Sequence, residues 1–238
     1  GLSLRLPWRS VLIYTSSFAF AGGLAVLLLI PAGPYRQASQ KFSIQHIFSS
    51  FRSNDFRAAA LGYFGHMWEL YTFWAFLPFI IQWQTVLGSG NIKNISLVTF
   101  ATIAIGGVSC MVGGIISQKT GSKKVAAMAL GISSICCIVF YPMMHASALA
   151  FIIFLMIWGI AVTADSPQFS ALVASSTMPD QKGTALTMVT SIGFAITVVS
   201  MYVFDYLLTH TSPYLFSGVL AAGPILGLIA ILQHGRNN

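Results

Sequence analysis

The stretch ALAFIIFLMIWGIAVTADSPQFSALVA, residues 148–174, decides the fold. Its 27 residues contain one charged side chain, Asp165, and a helix needs only about 20 mostly apolar residues to cross a bilayer. The apolar run at 151–157 does not alternate with polar residues, as the strands of a membrane β-barrel would. Because backbone groups in hydrocarbon must be paired within the segment, this stretch predicts a transmembrane helix.

The whole chain has the same character. Of its 238 residues 56% are hydrophobic and 7% are charged, with 12 Lys+Arg against 5 Asp+Glu. A soluble domain carries roughly 25% charged residues. The composition therefore excludes a soluble domain, a disordered tail and a nucleic-acid-binding protein with a basic face. The mean hydropathy of +0.79 agrees.

Seven stretches are long and apolar enough to span a membrane, and turn signals such as 31–34 (PAGP) and 119–124 (KTGSKK) separate them. We therefore predict an all-α polytopic membrane protein, a bundle of about seven transmembrane helices. The predicted spans are 10–30, 57–83, 94–116, 124–144, 148–174, 184–207 and 213–233.

The basic residues predict an orientation. If the N-terminus faces outward, nine of the 12 Lys+Arg fall on the cytoplasmic side and three outside, which fits the positive-inside rule. The nine are Arg36, Lys41, Arg52, Arg57, Lys119, Lys123, Lys124, Lys182 and Arg236, and the three are Arg5, Arg9 and Lys93. We expect an integral protein of a bacterial inner membrane, with its C-terminus in the cytoplasm.

Three regions follow from the spans: a first helix in 1–31, a cytoplasmic linker at 32–56 and a six-helix bundle at 57–238. In the linker Ile44, Ile47, Phe48 and Phe51 recur at helical spacing, which indicates a short amphipathic helix on the inner membrane surface. An ordinary loop with scattered aromatic residues is the alternative.

Polar side chains inside the spans are the candidates for function, because burying an ionisable group in a membrane is costly. Glu69 in the second span and Asp165 in the fifth lie about 18 Å and 13 Å above the same side, hence at similar depth. A carboxyl group in low dielectric favours its protonated form, so it can bind and release a proton as water access alternates. It can also pair with a cationic solute or with Na⁺.

Neighbouring positions extend these two sites. His66 precedes Glu69 by three residues and shares its helix face, where it could relay or tune a proton. The candidate substrate or proton-coupling residues are Glu69, Asp165, His66, Gln168, Trp158 and Phe73. The alternative is that these groups only hold neighbouring helices together. Asp205, near the outer end of the sixth span, reads as an interfacial group.

Other features have plainer interpretations. Pro78 and Pro167 predict kinks in the second and fifth spans. The glycine pairs 106–107 and 113–114, and the spacing of Gly223 and Gly227, predict close helix contacts. Cys110, Cys136 and Cys137 read as small apolar fillers, and no cofactor motif is visible. His66 and Glu69 could supply two metal ligands, but no third His or Cys is suitably placed, so we do not predict an enzyme.

A resemblance sharpens this interpretation. Residues 114–124, GIISQKTGSKK, resemble the loop motif of the major facilitator superfamily: Gly114, Lys119, Gly121 and Lys123 match, and Gln118 replaces the family's Asp. Residues 179–185, PDQKGTA, are similar to the start of the eleventh helix of such transporters. Pro7-Trp8-Arg9 is similar to the start of the sixth, and 164–173 resemble the tenth helix of one bacterial branch.

The order of these matches implies that the seven spans correspond to helices six to twelve of a twelve-helix transporter. The resemblance implies secondary transport of a small solute, coupled to a proton or Na⁺, by alternating access. The implied partners are membrane lipid, the solute, the coupling ion and an N-terminal half with five further helices, and nucleic acid is not among them. A membrane-embedded assembly subunit without a transport cycle is the alternative function.

Overall fold

The computed structural model describes residues 7–30, 50–211 and 213–233. These residues form helices and connecting turns, with no β-strand among them. In chain order the helices are α1 (Trp8–Leu29), α2 (Asn54–Leu87), α3 (Ile95–Thr120), α4 (Ser122–Met143), α5 (Ala148–Ala164), α6 (Ser166–Ser175), α7 (Lys182–His210) and α8 (Pro213–Gln233). Helices α5 and α6 together make one span, so seven candidate membrane spans result and the all-α fold prediction is confirmed.

The chain divides into two compact units, Gly1–Gln40 and Lys41–Asn238. In the first, α1 is 22 residues long and buries none of them, with a hydropathy of 1.9 over its most apolar window. At 1.5 Å per residue it measures about 33 Å, enough to cross the hydrocarbon of a bilayer. Of the four residues that mark the predicted amphipathic helix of the linker, Ile44, Ile47 and Phe48 lie outside the described part of the chain, and Phe51 lies in the turn before α2.

Local sequence fixes where the helices of the second unit begin. Ser53, Asn94 and Ser147 precede α2, α3 and α5, and each side-chain oxygen accepts the backbone N–H three residues later. Such caps pair donors that the first helical turn leaves free. Between α3 and α4 the chain turns at Gly121, whose φ of +89° is a conformation that side chains disfavour. This explains the glycine at that position of the loop motif.

Helix α2 is the centre of the second unit, because it packs against α3 and every helix from α5 to α8. It is 34 residues long and continues through Pro78 without a break. On one side its backbone approaches α8 closely: a Cβ on Gly223 would lie 2.7 Å from the carbonyl oxygen of Gly65. Small residues permit this approach, which brings α8 against the half of α2 that carries the polar side chains.

Helix α3 packs on α5 in the same way. A Cβ on Gly106 would lie 2.6 Å from Thr163 Oγ1, and one on Gly113 would lie 3.2 Å from the carbonyl oxygen of Ala164. The predicted close contacts are thus confirmed at these two glycines and at Gly223 and Gly227. They are wrong at Gly107 and Gly114, where a Cβ would meet no atom of the described residues within 4 Å.

The largest apolar cluster contains most of the large aromatic side chains. Buried members from five helices include Phe73, Phe140, Phe151, Trp158, Phe204 and Phe216. Aromatic contacts connect them, such as that between Phe204 and Phe216 at 4.7 Å between ring centroids. This cluster forms a packed wall at one end of the polar site.

Candidate functional site

The fifth span breaks at Asp165, between α5 and α6. Pro167 has no N–H, so the carbonyl of Thr163, four residues earlier, cannot form the helical hydrogen bond it would otherwise make. Two other donors reach that carbonyl: the backbone N–H of Asp165 and the thiol of Cys110, whose sulfur lies 3.2 Å away. The predicted distortion at Pro167 is therefore confirmed, and it places Asp165 at the start of α6.

Asp165 lies against His66 of α2. His66 Nδ1 and Asp165 Oδ1 are 2.9 Å apart, and each side chain is 1% exposed. The distance is that of an ion pair, but the ring N–H does not point at the oxygen, so neither atom counts as hydrogen-bonded by geometry. The contact is thus an electrostatic one that requires a protonated imidazole, and not an aligned hydrogen bond. His66 Nε2 is 2.8 Å from Ser166 Oγ.

The carboxyl of Asp165 is otherwise poorly partnered. Neither oxygen accepts an aligned hydrogen bond from the protein within the described residues. Asp165 occupies the position before the first turn of α6, yet its side chain does not cap that helix. Burying a carboxylate without such partners is costly unless a positive charge lies close to it. His66 is the group that can provide it.

Glu69 has a different environment, although it lies one turn along α2 from His66. Its Oε1 accepts from Ser133 Oγ at 2.5 Å and Cys137 Sγ at 3.2 Å, both on α4, and from Trp158 Nε1 of α5 at 2.7 Å. All three donors are neutral. Among the residues that the structure describes, the sole ion pair within 4.0 Å is that of His66 and Asp165. Glu69 therefore ties α2 to α4 and α5 through hydrogen bonds alone.

The predicted residues thus form two adjacent pairs between α2 and the fifth span: His66 with Asp165, and Glu69 with Trp158. Trp158 donates to Glu69, and Phe73 packs on Trp158 with ring centroids 4.6 Å apart. Gln168 is 2% exposed on α6. His66, Glu69 and Phe73 of α2 therefore contact Asp165 and Trp158 of the fifth span.

Sequence reasoning missed four polar neighbours: Cys110, Ser133, Cys137 and Ser166. Cys136 and Cys137 are buried in the largest apolar cluster, as predicted, but the thiols of Cys110 and Cys137 also donate to oxygens of neighbouring helices. Ser133 and Cys137 are four residues apart and so share a face of α4. The spacing of two small polar residues by four positions in an apolar span is the sequence pattern that could have predicted this polar face of α4.

The residues of the loop motif lie at the junction of α3 and α4. Gln118 and Lys119 are exposed in the last turn of α3, and Gly114 is half-buried one turn earlier. Lys123 is half-buried and lines a cavity of about 300 Å³ together with Asp55 of α2. Gln118 carries an uncharged amide, so it forms no ion pair at this position of the motif.

Chemically, the site can hold a proton or pair with a cation. It contains two carboxyls and one imidazole, and among the described residues no three His, Cys, Asp or Glu side chains are arranged to hold a metal ion. The imidazole of His66 contacts Asp165 through Nδ1 and Ser166 through Nε2, which places the ring at the break of the fifth span.

The sequence model described as Major Facilitator Superfamily matches residues 1–201. No curated protein matches the chain.

Proposed function

Since the chain belongs to the major facilitator superfamily, whose members carry small solutes across membranes, we propose that it serves proton-coupled secondary transport. It is an integral membrane protein, and the family is typically not enzymatic. We place it in a bacterial inner membrane with its basic loops in the cytoplasm, because nine of its 12 basic residues then obey the positive-inside rule.

The contact between His66 and Asp165 carries the proposal. Its 2.9 Å distance joins α2 to the broken fifth span, and discontinuous helices are a common feature of solute and ion sites in transporters. When Asp165 is ionised, a protonated His66 balances it. When a proton reaches the carboxylate, the attraction is lost and the two spans are free to move relative to one another. Protonation would thereby bias alternating access.

The composition of the site favours a proton over Na⁺ as the coupling ion. A hard cation needs several oxygen ligands, whereas His66 presents nitrogen to Asp165 and the thiol of Cys110 contacts the carbonyl oxygen of Thr163. A proton needs a single acceptor. In the described residues Asp165 Oδ2 has no hydrogen-bond partner, and Oδ1 has only the imidazole of His66 beside it.

The alternative, a membrane-embedded assembly subunit, draws support from Glu69. Three donors from two other helices hold its Oε1, an arrangement that stabilises a helix bundle without any transport cycle. The two functions differ in what Asp165 does. In a transporter Asp165→Asn removes coupling and leaves the fold intact, whereas in an assembly subunit neither carboxyl matters for solute movement.

The test uses the protein at its full native length in proteoliposomes with an inside-alkaline pH gradient. A mixture of sugars, amino acids and organic cations is supplied outside, and the solutes that accumulate are identified by mass spectrometry. Wild type should concentrate at least one solute. Asp165→Asn should no longer accumulate the solute against its concentration gradient. It should still exchange the solute across the membrane when no pH gradient is applied.

Asp180→Asn is the matched control, because Asp180 is an exposed acid in the turn before α7. It should accumulate solute as wild type does. Accumulation by Asp165→Asn at the wild-type level would overturn the assignment of the proton site. Absence of any gradient-driven accumulation in wild type would favour the assembly subunit.

We further propose that the seven spans are helices six to twelve of a twelve-helix transporter, so that residues 32–56 are its central loop and 57–238 its C-terminal bundle. The order of the motifs supports this, as does the outward N-terminus expected of a sixth helix. The 238 residues alone should then show no solute uptake in proteoliposomes, because half of the cavity wall would be missing. Robust uptake by this chain alone would overturn the half-transporter proposal.

A further inference from the structure

An apolar groove of about 550 Å³ lies on the second unit between α2 and α8. Leu61 and Phe64 line it from α2, Leu226 and Ile229 line it from α8, and Ile196 is the contribution of α7. Leu61, Leu226 and Ile229 are exposed, so the groove is open at the protein surface. Because an apolar lining favours hydrocarbon and gives a polar solute no hydrogen bonds, the groove fits an apolar chain.

The length of the groove matches one leaflet of a bilayer. Along α8 its lining extends from Ala222 to Gln233, a rise of about 16 Å, and half of the hydrocarbon layer is about 15 Å thick. Beyond Ala222 the two helices are joined, since Trp68 Nε1 donates to the Val219 carbonyl at 3.1 Å. At the other end Gln233 is exposed in the last turn of α8. The groove therefore extends from the membrane boundary to about the midplane.

A cationic side chain lies one helical turn from the groove, on the same face of α2. Leu61, Phe64 and Trp68 follow Arg57 by four, seven and eleven residues, which places all four on one stripe of the helix. Arg57 is exposed and makes no ion pair with the residues that the structure describes. Its Nη2 donates to the neutral side-chain oxygen of Asn54. The remaining guanidinium N–H groups can bind an anion at the membrane boundary.

The nearest acid along α2 does not share this face. Asp55 precedes Arg57 by two residues, which places it about 200° around the helix. It lines a separate cavity together with Lys123 of α4. Helix α8 contains no charged residue. Among the described residues that line the groove or share the stripe of Arg57, none is acidic, so the open end of the groove is positively charged.

We propose that this groove binds one acyl chain of an anionic glycerophospholipid whose phosphate lies on Arg57. The chain packs on Leu61, Phe64 and Leu226, and the guanidinium binds the phosphate through charge-assisted hydrogen bonds. In the proposed orientation Arg57 is cytoplasmic, so the lipid belongs to the inner leaflet. The occupant is a lipid and not free phosphate, because the anion site and the apolar groove are one turn apart. Neither His66 nor Asp165 takes part, so the site is independent of the proposed proton coupling.

Native mass spectrometry of the full-length protein in detergent tests this without any transport. Phosphatidylglycerol or phosphatidylcholine is titrated, and the dissociation constant of the first bound lipid is measured. Wild type should bind phosphatidylglycerol roughly tenfold more tightly than phosphatidylcholine, because only the former has a net negative headgroup. Arg57→Gln should weaken phosphatidylglycerol binding roughly tenfold and remove this preference, whereas Arg57→Lys should stay within about threefold of wild type.

A second variant tests the acyl chain. Ala222→Trp should weaken binding of both lipids by at least about tenfold, since Ala222 is exposed in the groove and a large side chain there fills its deep end. Glycerol phosphate, which has the anion but no chain, should not compete with the lipid.

Two controls make the result specific. Lys93→Gln removes a positive charge beyond the opposite end of α2, and Ala195→Trp adds the same bulk at an exposed position of α7 that does not line the groove. Both should bind lipid as wild type does. Unchanged phosphatidylglycerol affinity in Arg57→Gln or in Ala222→Trp would overturn the proposal. Equal affinity of wild type for the two lipids, or competition by glycerol phosphate, would also overturn it.

Discussion

The thiol of Cys110 on α3 donates to the carbonyl oxygen of Thr163 on α5, with 3.2 Å between sulfur and oxygen. Pro167 removes the N–H that would otherwise pair with this carbonyl. A side chain from a neighbouring helix thus stabilises the break that positions Asp165. The proline and the cysteine are 57 positions apart in the sequence, so no local pattern connects them.

Removing this donor should destabilise the break. Cys110→Ala should lower the free energy of unfolding by about 0.5–1.5 kcal/mol, which corresponds to a fall of about 1–6 °C in the melting temperature. Cys110→Ser keeps a donor of similar size and should melt close to wild type. The measurement is intrinsic-fluorescence thermal unfolding in detergent. Equal melting temperatures for Cys110→Ala and wild type would show that the sulfur contact contributes nothing.

The hydrogen bonds to Glu69 give a second prediction, with two neighbouring serines as a matched pair. Ser133 Oγ donates to Glu69 Oε1, whereas Ser134 Oγ donates to the Leu130 carbonyl of its own helix at 2.7 Å. Both are buried. Ser133→Ala should cost about 1.5–3 kcal/mol, because a buried carboxyl loses a partner, and Ser134→Ala should cost less than about 1 kcal/mol.

Thermal unfolding of the two alanine variants, measured side by side, checks this difference. A larger loss for Ser134→Ala would contradict the role given to Glu69 as the connection between α2, α4 and α5.

The sequence was informative about the helices and less so about their partners. The span predicted at 57–83 is observed as Asn54–Leu87, and that at 213–233 as Pro213–Gln233, because apolar runs of this length have one stable conformation in a membrane. The relative height of Glu69 and Asp165, within about one helical turn of each other, was also predictable, since helical rise is constant. Rotation of each helix about its axis is set by packing, so the pairing of Glu69 with Ser133 could not be derived.

Because helix rotation is set by packing, the sequence also could not show which glycine of a pair faces a neighbouring helix. A pair such as Gly106 and Gly107 marks a close contact, but which of the two faces a neighbour depends on helix rotation. In the structure a Cβ on Gly106 would meet Thr163, and a Cβ on Gly107 would meet nothing within 4 Å among the described residues. The glycine that faces α5 is therefore the one that limits how closely α3 approaches the helix break.

This asymmetry predicts opposite effects for one substitution at adjacent positions. Gly106→Ala should destabilise the fold by about 1–3 kcal/mol, because the added methyl group pushes against Thr163. Gly107→Ala should be neutral or stabilise by up to about 1 kcal/mol, because alanine favours a helix over glycine. Thermal unfolding of both variants in detergent decides it. The reverse order would show that α3 is rotated relative to the structure described here.

The orientation in the membrane yields the last prediction. In a background in which Cys110, Cys136 and Cys137 are replaced by serine or alanine, single cysteines are introduced at Asn91, before α3, and at Thr120, the last residue of that helix. Both positions are exposed. The proposed topology puts Asn91 outside and Thr120 in the cytoplasm, since the loop at 119–124 carries three lysines and positive loops stay inside. A membrane-impermeant maleimide applied to intact cells should label Asn91→Cys, and it should label Thr120→Cys only after the cells are opened. Labelling of Thr120→Cys in intact cells, with Asn91→Cys protected, would invert the topology and place the basic loop motif on the outer surface.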